Sequence, residues 1–524
     1  MITNLRALEP QELSDFCKDL KKEVISKVSD KIPHLESSLA VAELTVALHY
    51  ILNTPKDVLI WDVGHQGYIH KALTGRLDGL ESQRTSGGIS GFLKRDESPY
   101  DFFGAGHAST SISALAGVCI ADHANKVFRR RVAVIGDGSL TGGQSFEALN
   151  HLASIDTSAL VILNDNDQSI DDTIGGLHIN GGYKEYFESL GWSYTKFEKG
   201  KNISLLVSQL QACMAQGGKQ VLHLRTKKPN LSPPKSYEPG TTFQWWAAEA
   251  LRSAMESQRK IHVISPAMFA GSGFAPLRDE FPLRMHDTGI NEPHAVTLAA
   301  GMAVADVLPW VHIYSTFLQR AIDQVIHDIA LQKLPVVFLV DRAGLVGADG
   351  PTHHGVFDSG MLHDVPGAMI WQPKDGDELQ AMIHHAAHIQ HELQGPLFIR
   401  YPKDKTVCDS PVSFEEMRHE VMVGSNSLLV STGALSAQVK QGLFDHVHLA
   451  QTKPLPVAFC ELLGNYDSVV LLEEANGFGG MTGMVSAFMS KADIETKLVL
   501  RKIPDAFTDH GKRNELLREL GLIP

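Results

Sequence analysis

Short β-branched and aliphatic runs alternate with segments of helical character along the chain. That alternation predicts parallel α/β architecture. Val132 to Ile135 reads as a buried strand ending in Gly-Asp-Gly, and a helix is expected from about Gly143 to Ala153. Leu160 to Leu163 is the next strand and runs into Asn-Asp-Asn-Asp. From Lys228 to Pro239 four prolines break the pattern, so this stretch reads as an exposed linker.

A second α/β series begins near Ile261. Its expected strands are His262–Ile264, Val311–Tyr314, Val336–Val340 and Leu397–Arg400. Helices should begin near Pro293 and Phe317; proline suits a first helical turn, where its missing N–H costs nothing. A shorter third series starts near Ser427, with strands at Leu428–Val430, Val469–Leu472 and Leu498–Leu500. Three α/β units follow, at 1–230, 240–405 and 420–524.

Length agrees with that division, because 524 residues exceed one small domain and suggest roughly three. Hydrophobic residues make up 43%, enough for several cores. The net charge of −13 makes nucleic acid and anionic membrane surfaces poor partners for the protein as a whole. The five cysteines are scattered without a Cys-x-x-Cys pair, which indicates neither a zinc site nor a disulfide framework. The first residues do not read as a signal peptide, and no apolar run approaches the roughly 20 residues of a membrane-spanning helix. A cytoplasmic protein is expected.

The chemistry concentrates in VAVIGDGSLTGGQSFEALNHLASIDTSALVILNDND. Asp137 sits between two glycines at a strand end, and Asn166 follows the next strand. Adjacent parallel strands would bring them together, and oxygen ligands of this kind suit Mg²⁺ bridged to phosphate oxygens. The small residues around Asp137 let backbone N–H groups approach a diphosphate at a helix start. The arrangement resembles the thiamine-diphosphate fingerprint. By that resemblance Asp137, Asn166 and a backbone carbonyl near Gln168 are the metal ligands, and Gly138 and Ser139 contact the diphosphate.

Longer strings carry the likeness further: AELTVALHYILNTPKDVLIWDVGHQGYIHKALTGR, GAGHASTSISALAG, YSTFLQRAIDQVIHDIALQKLPV and DRAGLVGADGPTHHG. They resemble the 1-deoxy-D-xylulose-5-phosphate synthase family of the transketolase superfamily. The resemblance implies two parallel-sheet domains of thiamine-diphosphate-binding type (a diphosphate/metal domain, then a pyrimidine domain) and a smaller transketolase C-terminal-type domain. It implies thiamine diphosphate and Mg²⁺ as cofactors, pyruvate and glyceraldehyde 3-phosphate as substrates, and a homodimer.

Roles for matching positions follow from the resemblance. His107, Ser109 and Lys228 lie near the cofactor, and His34 and His65 line the pocket for pyruvate. In DTGINEPHAVTLAAGMA, Glu292 is the carboxyl group that hydrogen-bonds the cofactor's aminopyrimidine. A carboxylate there could otherwise merely favour the helix start. Phe317 matches the ring that stacks on the aminopyrimidine. Tyr314, Arg342 and Arg400 match the positions that hold the acceptor's phosphate, for which arginine forks are well suited. Arg320, Asp349 and His353 match other pocket positions, and the histidines would move protons.

The chain also departs from the family pattern. It is shorter after Ser169, and PNLSPPKSYEP replaces a Gly-rich stretch after Lys228. Gln244 stands where a family histidine is expected, and glutamine cannot exchange a proton near neutral pH. The runner-up reading is a related carboligase that joins pyruvate to a different aldehyde. A transketolase, a 2-oxoacid dehydrogenase component and an inactive homologue fit the strings less well.

Overall fold

The computed structural model describes all residues except 29–32, 167–173, 230–236, 407, 409, 411, 422–424, 440–443 and 478. The chain divides into two compact units, Met1–Pro234 and Lys235–Pro524.

The first unit is built on five parallel strands, β1 (Val58–Trp61), β2 (Arg131–Gly136), β3 (Ala159–Asp165), β4 (Ser193–Phe197) and β5 (Lys219–Arg225), in the order β1-β2-β3-β5-β4. Successive side chains of a strand face opposite sides of the sheet. Accordingly Val132, Val134, Leu160 and Ile162 enter one apolar core, while Ala133, Ile135, Val161 and Leu163 enter another. Both faces are covered, so the strands read as continuous apolar runs. The helix Gly143–Ser154 connects β2 to β3 close to its expected bounds.

The second unit holds two sheets. Its larger sheet contains β6 (Ile261–Ser265), β7 (Met285–Asp287), β8 (Leu308–Tyr314), β9 (Val337–Asp341), β10 (Met369–Trp371) and β11 (Leu397–Tyr401). The smaller sheet contains β12 (Met417–Glu420), β13 (Ser427–Ser431), β14 (Asp445–Leu449), β16 (Ser468–Glu473) and β17 (Lys497–Lys502), in the order β12-β14-β13-β16-β17. Between β14 and β16 the short strand β15 (Gln451–Lys453) leaves the smaller sheet and pairs antiparallel with β10, so the larger sheet reads β15-β10-β11-β9-β8-β6-β7.

Three strand ends meet in register in that sheet. Asp341 pairs with Tyr314 on one side and Tyr401 on the other, which places Arg342 and Arg400 beside the same row. Carboxyl ends of parallel strands are where ligands gather in open α/β sheets.

Candidate functional site

In the first unit the register Gly136↔Asn164 sets the ends of β2 and β3 side by side. Asp137 opens the short helix Asp137–Leu140 that follows β2; Asp137, Gly138 and Ser139 are buried there. The Asn166 Oδ1 atom is buried with no hydrogen-bond partner, and a Cβ on Gly136 would project into open space. Gln168 lies outside the described residues.

A residue that sequence reasoning passed over stands between these two. Asp165 is 1% exposed and accepts from His223 Nε2 at 2.7 Å and Arg225 Nη1 at 2.6 Å. Ligand-type atoms of Asp137, Asp165 and His178 lie within 4.8 Å of one another. Oxygen-rich sites of this kind suit a hard divalent cation. Lys228 is half-buried and senses the negative charges of Asp137 and Glu36; burial nevertheless pulls its pKa down. The expected exposed linker is only partly so among its described residues: Glu238 and Pro239 are exposed, whereas Lys228, Pro229 and Tyr237 are half-buried.

The His34 and His65 rings meet edge to face, with centroids 5.3 Å apart. His34 holds a left-handed backbone at φ 71°, uncommon for a residue with a Cβ. The His65 Nδ1 is buried without a partner, and burial, aided by Lys228 and Arg84, lowers its pKa to about 3. His65 is therefore neutral near pH 7. His107 is half-buried in the loop after β1 and before the helix Ser111–Ala124. Ser109 donates its hydroxyl to the Ser139 carbonyl at 2.7 Å, tying its own loop to the one that follows β2.

In the second unit Glu292 begins the helix Glu292–Val304 and is 3% exposed. Burial pushes its pKa up, against the opposing pull of Arg320, whose Nη1 lies 3.7 Å from Glu292 Oε2. Tyr314 stacks on Phe317 with centroids 5.5 Å apart, and Phe317 meets His353 edge to face at 5.6 Å. The Arg342 guanidinium covers the Tyr314 ring at 3.9 Å, the geometry of a cation–π contact. Asp349 lies one turn before His353 and 3.7 Å from Lys403 Nζ. Expected residues from three strand ends and one helix start are thereby gathered in this unit.

The two arginines are already well used. Arg342 pairs with Asp341 and donates to the Gly271 carbonyl at 2.7 Å. Arg400, 3% exposed, forks onto Asp358 at 2.8 and 2.7 Å and reaches Gln372 Oε1 at 2.5 Å. Gln244 donates to Asp341 Oδ1 at 2.7 Å and to the Pro402 carbonyl at 3.0 Å, so its side chain amide joins buried groups of the fold.

Residues 1–180 match the family model described as 1-deoxy-D-xylulose-5-phosphate synthase, and residues 242–407 match the transketolase pyrimidine-binding domain. The 1-deoxy-D-xylulose-5-phosphate synthase of Chlorobium phaeovibrioides is 38% identical over 611 aligned positions, covering 99% of this chain and 95% of that protein. The chain belongs to the 1-deoxy-D-xylulose-5-phosphate synthase family. The enzyme of the same name from Magnetococcus marinus is also 38% identical, over 99% of this chain and 96% of its own length. Among solved structures, a transketolase from Campylobacter jejuni is similar at 16% identity over 98% of each chain, with a TM-score of 0.47.

Family membership bears out the expectation of a thiamine-diphosphate-dependent transferase of transketolase type. It also bears out the shortening. The 611 aligned positions exceed this chain's 524 residues, so the Chlorobium synthase carries several dozen residues without a counterpart here. Asp62, Asp165, His223 and Asp358 went unread in the sequence of this family member. Only Asp165, inside the Asn-Asp-Asn-Asp string, carried a signal that could have exposed it.

Proposed function

We propose that this chain decarboxylates pyruvate and joins the remaining two-carbon unit to D-glyceraldehyde 3-phosphate, giving 1-deoxy-D-xylulose 5-phosphate and CO₂. Glu292 carries the reading: a carboxyl group 3% exposed, with its pKa pushed up by burial, at the helix start where the motif requires one. A carboxyl group whose charged form is disfavoured by burial can share a proton with a ring nitrogen, which a solvated glutamate does poorly.

Thiamine diphosphate, when bound, supplies the carbanion chemistry. The residues fit such a group. Asn166 Oδ1 and His65 Nδ1 are buried acceptor or donor atoms lacking partners, and space is open beside Gly136. Asp137 and Asn166, with Gln168, would hold Mg²⁺; Gly138, Ser139, Lys228, His107 and Ser109 would surround the diphosphate. Phe317, already stacked on Tyr314, offers a flat face to an aromatic ring.

His34, His65 and His353 are assigned to proton handling. His65 enters the reaction neutral, since its lowered pKa keeps it deprotonated. Arg320 and Asp349 are assigned to the substrate pocket, and Tyr314, Arg342 and Arg400 to the acceptor's phosphate. Three functional domains, 1–230, 240–405 and 420–524, follow the three sheets, apart from β15 and the first residues of β12. A homodimer and a cytoplasmic location complete the proposal, on family resemblance. Among the described residues no helix is long and apolar enough to cross a membrane.

The test is a product assay with thiamine diphosphate, Mg²⁺, pyruvate and D-glyceraldehyde 3-phosphate, with CO₂ followed alongside mass spectrometry. Deoxyxylulose phosphate formed in step with CO₂ is expected. CO₂ without that product would redirect the acceptor assignment, and neither would sink the pyruvate assignment.

A further inference from the structure

The anion position at Arg342 is filled by a side chain of the protein itself. The Tyr237 hydroxyl donates to the Gly271 carbonyl at 2.5 Å and accepts from Arg342 Nη2 at 3.1 Å. Both contacts are within hydrogen-bonding range. Arg342 Nη1 is simultaneously committed to Asp341, so both terminal nitrogens are engaged. The ring is closely seated: a Cβ added to Gly273 would come 2.9 Å from Tyr237 Cδ2. Gly271 is equally tight on its other side, where a Cβ would lie 2.6 Å from the Tyr314 hydroxyl. Tyr237, Gly271, Tyr314 and Arg342 therefore form one packed group at the end of β8 and β9.

We propose that Tyr237 is a specificity-determining residue, whose hydroxyl occupies the place of a phosphate oxygen on Arg342 and must be displaced by a phosphorylated acceptor. The inference rests on the reading of Arg342 and Tyr314 as acceptor-binding residues. A phosphate dianion arriving at Arg342 meets a guanidinium already neutralised by Asp341 and capped by Tyr237. It must break the Tyr237 hydrogen bond and move the ring, whereas an aldehyde without phosphate has no need of that position. Tyr237 thus raises the KM for the phosphorylated acceptor and narrows its advantage over the unphosphorylated aldehyde. Tyr237 also lies in the segment PNLSPPKSYEP, where this chain departs from the family pattern.

The test is Tyr237→Phe in the full-length protein. The Gly271 carbonyl keeps its bond from Arg342 in that variant, so no buried acceptor is orphaned. Calorimetric titration with glycerol 3-phosphate, a non-reacting probe, should give a Kd about tenfold lower than in the parent, the scale of one hydrogen bond to a charged group. In steady state the KM for D-glyceraldehyde 3-phosphate should fall by a similar factor, with the KM for pyruvate and for D-glyceraldehyde unchanged. Equal Kd values, or no binding to either protein, overturn the proposal. If neither protein releases CO₂ from pyruvate, the functional reading falls, and the calorimetric comparison still decides the role of Tyr237.

Discussion

Asp62 and Ser109 stand 47 positions apart in the chain, and Asp62 Oδ1 accepts the Ser109 backbone N–H at 2.8 Å. The second carboxylate oxygen takes the Ser111 N–H at 3.0 Å. Between them these bonds hold Ser109 at φ 72° while its hydroxyl reaches Ser139. Asp62 therefore shapes the loop assigned to the cofactor from inside the string that also carries His65. Asp62→Ala leaves two buried N–H groups unpaired. It should cost about 2–4 kcal/mol in chemical denaturation and weaken thiamine diphosphate binding about tenfold, with Asp62→Asn intermediate.

Glu292→Gln separates chemistry from stability. Burial already disfavours the charged form of Glu292, so a neutral isostere should leave the thermal midpoint unchanged or slightly higher. Pyruvate-dependent CO₂ release should nevertheless fall by about a hundredfold or more, the scale of one positioned proton-transfer group. A variant with near-parental turnover would remove Glu292 from the mechanism.

His65 makes the first unit sensitive to acid. Its folded pKa of about 3 lies below that of an ordinary imidazole, so below about pH 6.5 the unfolded chain takes up a proton that the folded state refuses. Its contribution is present above that pH and is lost as the pH falls towards 3, by up to about 1.4 kcal/mol per unit. Thermal midpoints at pH 7.5 and 5.5, without added ligand, should differ less in His65→Gln than in the parent.

Much of the fold was legible because the strands facing two cores are uninterrupted apolar runs, as in Val132–Ile135 and Val336–Val340. The β8 strand was read as starting at Val311, yet it begins at Leu308 and takes in Pro309. Proline is tolerated near the start of a strand, and its carbonyl here accepts from Gln390. Met369–Trp371 and Gln451–Lys453 are three residues each, too short for any periodicity to show. In the candidate site, Asp137, Glu292, Tyr314 and Arg342 stand at strand ends or helix starts within long recognisable strings. Asp358, though it begins a helix, and Tyr237 lie outside those strings; their partners Arg400 and Arg342 are 42 and 105 positions away, and no spacing rule connects them.

Arg400 illustrates the difference between binding and support. Its fork to Asp358 is buried at both ends, with side-chain exposures of 2% and 0%. Removing one partner of such a pair strands a charge in the interior. Arg400→Met should lose about 3–5 kcal/mol of stability, and adding Asp358→Asn should restore much of it. A double-mutant cycle by denaturant titration measures this; an Arg400 that served only the acceptor's phosphate would leave stability untouched.

The crossing of β15 from the smaller sheet to the larger has a consequence for how the second unit comes apart. The chain that leaves β14 of the smaller sheet thus becomes the edge strand of the larger one, paired at Ile370↔Lys453 and Trp371↔Gln451 and reinforced by Trp371 Nε1 donating to Gln451 Oε1 at 2.8 Å. Melting the smaller sheet strips the outer edge from β10, and an uncovered strand edge invites pairing with another chain. The C-terminal hundred residues thus serve as a guard against aggregation for the sheet that carries Glu292. A chain cut after Tyr401 should gain protease sensitivity and self-association together, rather than leave a smaller stable protein.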